Sequence, residues 1–208
     1  MADFRTATSV GARIAAIRKK RGFASAKALA DAIPGDSITD SILRNIEAGR
    51  KNDLAVAQLL NLAWALRISP LFILAPLGLP DEDLDLPNVI PDVQKLTTKE
   101  FDAWVSGDLS GTYRPVIADE MTERIQLDAL HDLLRAQREA NRLHTLIRLS
   151  DEADALGDAA PISSEAEWRD FTPRLAEAER RIAELQTFLE SAGWIVGDDP
   201  PAIDSPKR

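Results

Sequence analysis

Apolar residues in the first third of the chain recur every three or four positions, the spacing of one face of an α-helix. Residues that cap or break helices divide this pattern into five short segments. In chain order these markers are Gly22, Ser25, Pro34-Gly35, the stretch from Asp36 to Asp40, Gly49, Asn52 or Asp53, and Ser69-Pro70. No alternation of the β type competes with the helical spacing. Residues 1–78 are therefore predicted to form an all-α domain of five helices.

Two longer apolar seams occupy the last third of the chain, where steps of four and three alternate. They consist of Ala129, Leu133, Ala136, Ala140, Leu143 and Ile147, followed by Trp168, Phe171, Leu175, Ala178, Ile182, Leu185 and Leu189. A helix as long as the first is unstable alone and needs a partner surface. Residues 117–196 are therefore predicted to form an antiparallel helical hairpin or coiled coil. Because Thr172-Pro173 suits a helix start, we expect a break or kink there, after a short helix around Trp168.

The middle of the chain, residues 79–116, begins with several prolines among acidic residues. Such a composition is typical of an extended linker that forms no core of its own. Thr97 and Glu100 have the spacing of a capping box, which predicts one short helix over 98–106. A polar stretch rich in proline ends the chain, and we expect residues 197–208 to form a disordered tail.

Charge also divides the chain. Residues 1–78 carry 11 Lys and Arg against 6 Asp and Glu, a net charge of +5, whereas the remainder carries 14 against 28, a net charge of −14. A basic module joined to an acidic one is typical of a nucleic-acid binder with a separate interaction region. Two solvated surfaces that differ by chance would give the same pattern. Any contact with DNA is expected to be confined to the first third.

The sequence offers no pattern for catalysis or metal binding. It contains no cysteine, and His131 and His144 stand more than three turns apart on one predicted helix. No nucleophile–base pattern or phosphate-binding loop is found. The apolar run from Leu71 to Leu79 is interrupted by Pro76 and is too short to span a bilayer, and no secretory signal is recognised. We therefore expect a cytoplasmic protein that is not an enzyme and requires neither cofactor nor metal.

The stretch from Gly11-Ala12-Arg13-Ile14 to Ile73-Leu74 resembles the lambda-repressor-like (XRE-type) helix-turn-helix family. The resemblance is carried by a basic first helix that ends in Arg-Gly, by Leu29-Ala30 in the second helix, by the run Ser-Ile-Leu-Arg-Asn-Ile-Glu-Ala-Gly-Arg-Lys from Ser41 to Lys51, and by the fourth-to-fifth-helix junction from Ala63 to Ser69. It covers about a third of the chain. Two features depart from the family pattern. The connection from Pro34 to Ser37 is longer than the usual tight turn, and the recognition helix begins with Asp40.

The resemblance implies that the third helix lies in the major groove and presents its first residues to base edges. By position, the candidate base-reading residues are Asp40, Ser41, Arg44 and Asn45, which share one helix face opposite Leu43 and Ile46. The candidate phosphate contacts are Ser25, Arg50, Lys51 and Lys20. For Arg44, an ion pair with Asp40 on the same helix is the alternative to a base contact. Glu47 is expected to cap or pair within the domain.

The resemblance implies a sequence-specific double-stranded DNA-binding transcriptional regulator, similar to prokaryotic or phage repressors. We expect it to bind an inverted-repeat operator as a homodimer formed through the C-terminal helices. Packing of those helices on the chain's own middle segment is the alternative, and activation or antitoxin service stays open. The competing hypothesis is a protein-interaction adaptor whose helix-turn-helix fold has lost or weakened DNA reading. It is favoured by the longer turn, by Asp40 and by the acidic remainder.

Overall fold

The computed structural model describes residues 3–51, 53–156 and 165–197, and within these ranges the protein is all-α, which confirms the predicted class. The helices of these ranges are α1 (Val10–Lys20), α2 (Ala26–Asp31), α3 (Asp40–Glu47), α4 (Val56–Ala65), α5 (Leu71–Leu74), α6 (Pro91–Gln94), α7 (Thr98–Ser106), α8 (Ala118–Leu156) and α9 (Glu165–Ser191). The chain divides into two compact units, Met1–Arg114 and Pro115–Arg208. All but the first residue of the predicted disordered tail lies outside the described residues.

Short polar side chains begin each of the first three helices. The Oγ atoms of Ser9 and Ser25 and the Oγ1 atom of Thr39 each accept a hydrogen bond from the amide three residues later, at 3.1, 3.1 and 3.3 Å. Each bond satisfies an amide that has no partner within the helix. Gly22 and Gly49 follow α1 and α3 with φ of +83° and +68°. Both act as the stops that the sequence predicts, since glycine adopts this conformation without steric cost.

Helices α1 to α5 enclose one apolar core. Its most deeply buried members are Ile14, Ile17, Leu29, Leu43, Ile46, Leu62, Leu66 and Ile73. The backbones of α1 and α3 meet at Gly11, where a Cβ atom would lie 2.1 Å from the carbonyl oxygen of Ile46. Only glycine permits this approach. The contact with α1 therefore determines the position of α3.

Residues 79–106 pack within the first unit. Leu84 and Phe101 are buried together with Ala75, which follows α5. Helix α7 occupies the range predicted for it and begins with the capping box of Thr97 and Glu100. The part up to residue 96, expected to be an extended linker, therefore contributes to a core. Although the segment is acidic, it carries enough leucine side chains to cover the adjacent apolar surface.

Arg13 on α1 lies at the centre of this packing and is fully buried. Its Nη1 and Nη2 atoms donate to the two carboxylate oxygens of Asp85 at 2.6 and 2.8 Å. Its Nε atom donates to the carbonyl of Ile73 at 2.8 Å, and Nη2 and Nη1 donate to the carbonyls of Leu74 and Ala7, both at 2.9 Å. All five N–H groups of the guanidinium thus have acceptors, which is what burial of a charge requires.

In the second unit α8 and α9 pack antiparallel. The Nε1 atom of Trp194 donates to Oε1 of Gln126 at 2.9 Å, whereas Arg174, much earlier on α9, donates to Glu139, later on α8, at 2.6 Å. Between these contacts, Ala129, Leu133, Leu185 and Leu189 of the two predicted seams are buried together. No helix in the described part of the chain is long and apolar enough to cross a membrane.

Helix α9 continues through Pro173. The expected break, with a separate short helix around Trp168, is therefore wrong, and the kink expected as its alternative stays a prediction. The side chain of Trp168 lies outside those described. Pro173 and Arg174 border a concavity against Ala136 and Glu139 of α8. An interior proline costs a helix about 3 kcal/mol through one lost hydrogen bond and a steric clash. The packing of α9 against α8 offsets that cost.

Candidate nucleic-acid interface

Helix α3 has one buried face and one polar face. Leu43 and Ile46 are 0% and 1% exposed, whereas Ser41 and Arg44 are exposed and Asn45 is half-buried. Since the polar positions lie opposite the two buried ones on the helix, the structure brings these predicted base-reading side chains together on one surface. The fourth, Asp40, is the first residue of the same helix and is half-buried.

Asp40, Arg44 and Asn45 on this face are already engaged within the protein. Arg44 forms an ion pair with Asp40 one turn earlier, which is the alternative that the sequence left open. The Nε atom of Arg50 donates to Oδ1 of Asn45 at 3.0 Å. An exposed ion pair at this helical spacing contributes only about 0.3–0.5 kcal/mol, and the Arg44 side chain is 64% exposed. A ligand can therefore replace the Asp40–Arg44 pair at little cost.

The four predicted phosphate contacts are distributed over three places. Ser25 is exposed at the start of α2, where its hydroxyl caps the helix. The amides of Arg50 and Lys51 both bond to the carbonyl of Asn45, at 2.9 and 3.1 Å, so that these two residues turn back against the end of α3. Lys20 ends α1, and its ammonium lies 5.0 Å from the centroid of the Phe4 ring. Lys20 is thus engaged away from the residues that follow α3.

A buried ion pair holds the far end of α3 to α1. The Nε and Nη2 atoms of Arg18 donate to the two carboxylate oxygens of Glu47 at 2.6 and 3.0 Å, and Nη1 donates to the carbonyl of Phe23 at 2.8 Å. The two side chains are 8% and 14% exposed. Glu47 thus pairs within the domain, as predicted. This bidentate contact and the close approach at Gly11 fix how far α3 stands out from the core.

The long connection before α3 is tied to α4. The Nε2 atom of Gln58 donates to the carbonyl of Ser37 at 2.9 Å, and Nδ2 of Asn61 donates to the hydroxyl of Ser37 at 3.1 Å. Ile38, in the same connection, is 2% exposed. The longer turn therefore has a defined path, which one buried side chain and two amide side chains specify.

Three of these positioning residues escaped the sequence analysis. Gly11 and Arg13 belong to a motif to which the sequence assigns no individual roles, and Arg18 belongs only to the basic end of the first helix. A signal was present, because Arg13 and Arg18 adjoin Ile14 and Ile17 on the apolar stripe of α1. A charged side chain on such a stripe indicates a buried partner more often than a ligand.

No cluster of three or more potential metal-ligating side chains occurs within the described residues. Displaced pKa values belong to groups with structural partners. The pKa of Glu100 is lowered chiefly by the hydrogen bond from the backbone of Thr97, and the pKa of Asp132 is lowered chiefly by the hydrogen bond from Arg135. Comparison of the chain with protein-family models, curated proteins and solved structures gives no match. Function is therefore inferred from the geometry of α3 and its supports.

Proposed function

We propose that the protein is a sequence-specific double-stranded DNA-binding transcriptional regulator that reads the major groove with α3. The observation that carries the proposal is the polar outer face of α3, formed by Ser41, Arg44 and Asn45 and backed by two fully buried side chains. A helix used for base reading must keep a fixed depth and rotation, because a base contact tolerates little displacement. The Arg18–Glu47 pair and Gly11 supply that fixation.

The chemistry of this face suits base edges. Arg44 can donate two parallel hydrogen bonds to a guanine, and Asn45 can form a two-bond contact with an adenine. Asp40 would repel phosphates but can accept a hydrogen bond from a cytosine amino group. Ser25, Arg50, Lys51 and Lys20 are the proposed phosphate contacts, within a segment of net charge +5.

A regulator of this kind binds a two-fold symmetric site when it is dimeric, with its recognition helices one DNA turn apart. We propose that the α8–α9 hairpin contributes to such a homodimer. Met121, Ile125 and Phe188 on its outer surface are 41–42% exposed, an apolar surface that the two-helix pairing leaves available.

The experiment is selection of bound sequences from random double-stranded DNA, followed by titration of the recovered site. Arg44→Ala is expected to relax preference at one base pair, with a loss of about 1–3 kcal/mol of discrimination. Lys51→Ala should weaken binding to all sequences and reduce the slope of log affinity against log salt by about one.

Arg180→Ala is the matched control for Arg44→Ala, because it also removes an exposed arginine from an ion pair at helical spacing but lies on α9. It should leave site preference unchanged. Selection that recovers no sequence preference, or equal losses for the Arg44 and Arg180 variants, would remove the proposed assignment.

The second candidate function is a protein-interaction adaptor, which one observation favours. The first unit as a whole, residues 1–114, carries 14 Lys and Arg and 14 Asp and Glu, a net charge of zero. Its basic excess is thus confined to residues 1–78, and α3 begins with a carboxylate. Absence of salt-sensitive DNA binding in the titration above, with the fold intact, would favour the adaptor.

A further inference from the structure

Helix α4 carries a row of exposed apolar side chains on the surface of the first unit. Val56, Leu60 and Trp64 are 73%, 51% and 73% exposed. They are spaced four residues apart and therefore form one stripe along the helix. The opposite side of α4 is in the core, where Leu62 is fully buried. The stripe takes no part in the α3 surface described above.

The stripe ends in opposite charges. Asp53, just before α4, is exposed, and its carboxylate accepts a hydrogen bond from the side-chain amide of Asn88 at 2.7 Å. Arg67, just after α4, is exposed, and its guanidinium lies 5.1 Å from the centroid of the Trp64 ring. The surface therefore has an acidic end, an apolar middle and a basic end.

Such a surface is complementary to itself when it is turned end to end. We propose that a second copy of this chain packs its α4 antiparallel on this stripe, about a two-fold axis at Leu60. Asp53 then faces the partner's Arg67, and Val56 faces the partner's Trp64, in both halves of the contact. A parallel arrangement would instead place like charges together at each end.

The size of the stripe sets the strength of the contact. Three partly exposed apolar side chains bury roughly 300–400 Å² on each copy, below the ~800 Å² per partner of a standard stable interface. The α4 contact is therefore a weak association, which forms at high protein concentration or when another contact holds two copies together. It goes beyond the proposed function, because it requires neither DNA nor the α8–α9 hairpin.

The chain has no cysteine, so that a single introduced thiol reports on the contact directly. Two helices packed about 8–10 Å apart, each with Cα atoms about 2.3 Å from its axis, leave roughly 3.4–5.4 Å between facing Cα atoms. This overlaps the range of about 4.4–6.8 Å that a disulfide spans. Leu60→Cys in the full chain, oxidised without DNA, is expected to give a covalent dimer in denaturing electrophoresis.

Val105→Cys is the matched control, since Val105 is 45% exposed on α7 of the same unit, away from the stripe. It should remain largely monomeric at the same concentration. A tenfold or greater excess of dimer for Leu60→Cys supports the α4 contact. Equal dimer yields for the two variants, or none for Leu60→Cys, would overturn it.

Charge reversal in the Leu60→Cys background tests the orientation. Asp53→Arg and Arg67→Asp should each reduce the dimer yield several-fold, because each places like charges opposite one another at both ends. The double variant Asp53→Arg/Arg67→Asp should restore the yield. Arg67 has a φ of +51°, a conformation that aspartate accepts readily, so backbone strain does not explain a loss. Losses that add in the double variant would refute the antiparallel arrangement.

These outcomes are independent of the DNA-binding proposal. Cross-linking through residue 60 without any DNA preference would retain the α4 contact and remove the regulator function. DNA reading without cross-linking would retain the regulator function and remove the α4 contact.

Discussion

The buried Arg13–Asp85 contact predicts how strongly the first unit depends on a residue outside its five-helix part. Replacement of Asp85 by alanine removes the acceptors of two of the five guanidinium N–H groups and leaves a charge in a site where Arg13 is 0% exposed. Removal of one partner of a buried ion pair costs about 3–5 kcal/mol. Because the Asp85 side chain is 21% exposed, water can reach part of the site, and we expect a cost near 3 kcal/mol.

Asparagine is the more discriminating replacement. Asp85→Asn retains one acceptor oxygen but loses the charge and one of two charge-assisted hydrogen bonds, each of which contributes about 1.5–3 kcal/mol. The expected loss is about 2 kcal/mol, which corresponds to a downward shift of about 1 M in the urea midpoint for an m value of 1–3 kcal/mol per M. Amide hydrogen exchange of α1, measured alongside circular dichroism, assigns the loss to the first unit.

Asp83→Asn is the control, since Asp83 lies on the same segment and is exposed. It should change the free energy of unfolding by less than about 0.5 kcal/mol. Arg13→Met together with Asp85→Leu should cost less than Asp85→Ala alone, because the pair is replaced by apolar side chains and no charge is left unpaired. Equal shifts for Asp85→Asn and Asp83→Asn would refute the claim that this pair holds the segment.

Three further predictions concern single positions. Gly11→Ala should lower the melting temperature sharply through a clash costing at least 1–3 kcal/mol, whereas Gly197→Ala, with no atom within 4 Å of the added methyl, should not. The lowered pKa of Glu100 means that its contribution to α7 is present above the ordinary pKa of glutamate and is lost as pH falls through the lowered value; amide exchange of α7 should follow this in the native protein but not in Glu100→Gln. Pro173→Ala should raise the urea midpoint of the second unit, because α9 is continuous there; an unchanged or lower midpoint would contradict this.

Helices α1 to α5 and α7 could be predicted because their signals are local. Ser25 begins α2, and Gly22 and Gly49 end α1 and α3, each through the backbone within one turn. The apolar stripe of α3 follows from the spacing of the residues of that helix alone. The path of residues 79–96 could not be predicted in the same way. Its acidic and proline-rich composition describes the segment alone, whereas its packing depends on the fully buried Arg13 some seventy residues earlier. Likewise, Pro173 is a local signal for a break that the surface of α8 overrides.

The candidate interface likewise has one part that local sequence signals predict and one part that depends on distant residues. The outward face of α3 follows from the burial of Leu43 and Ile46, which the sequence specifies. The position of α3 depends on pairs of residues that are distant in sequence, of which Arg18–Glu47 is the clearest. The sequence shows only that α1 ends in several basic residues, and it does not indicate that Arg18 is buried while Lys20 is exposed. Both residues flank the apolar stripe of α1, but Arg18 lies within the helix and is buried, where its charge must find a partner, whereas Lys20 is the last residue of the helix and is exposed. Only the partner across the core, Glu47 for Arg18, therefore separates a cation that builds this fold from one that remains at the surface.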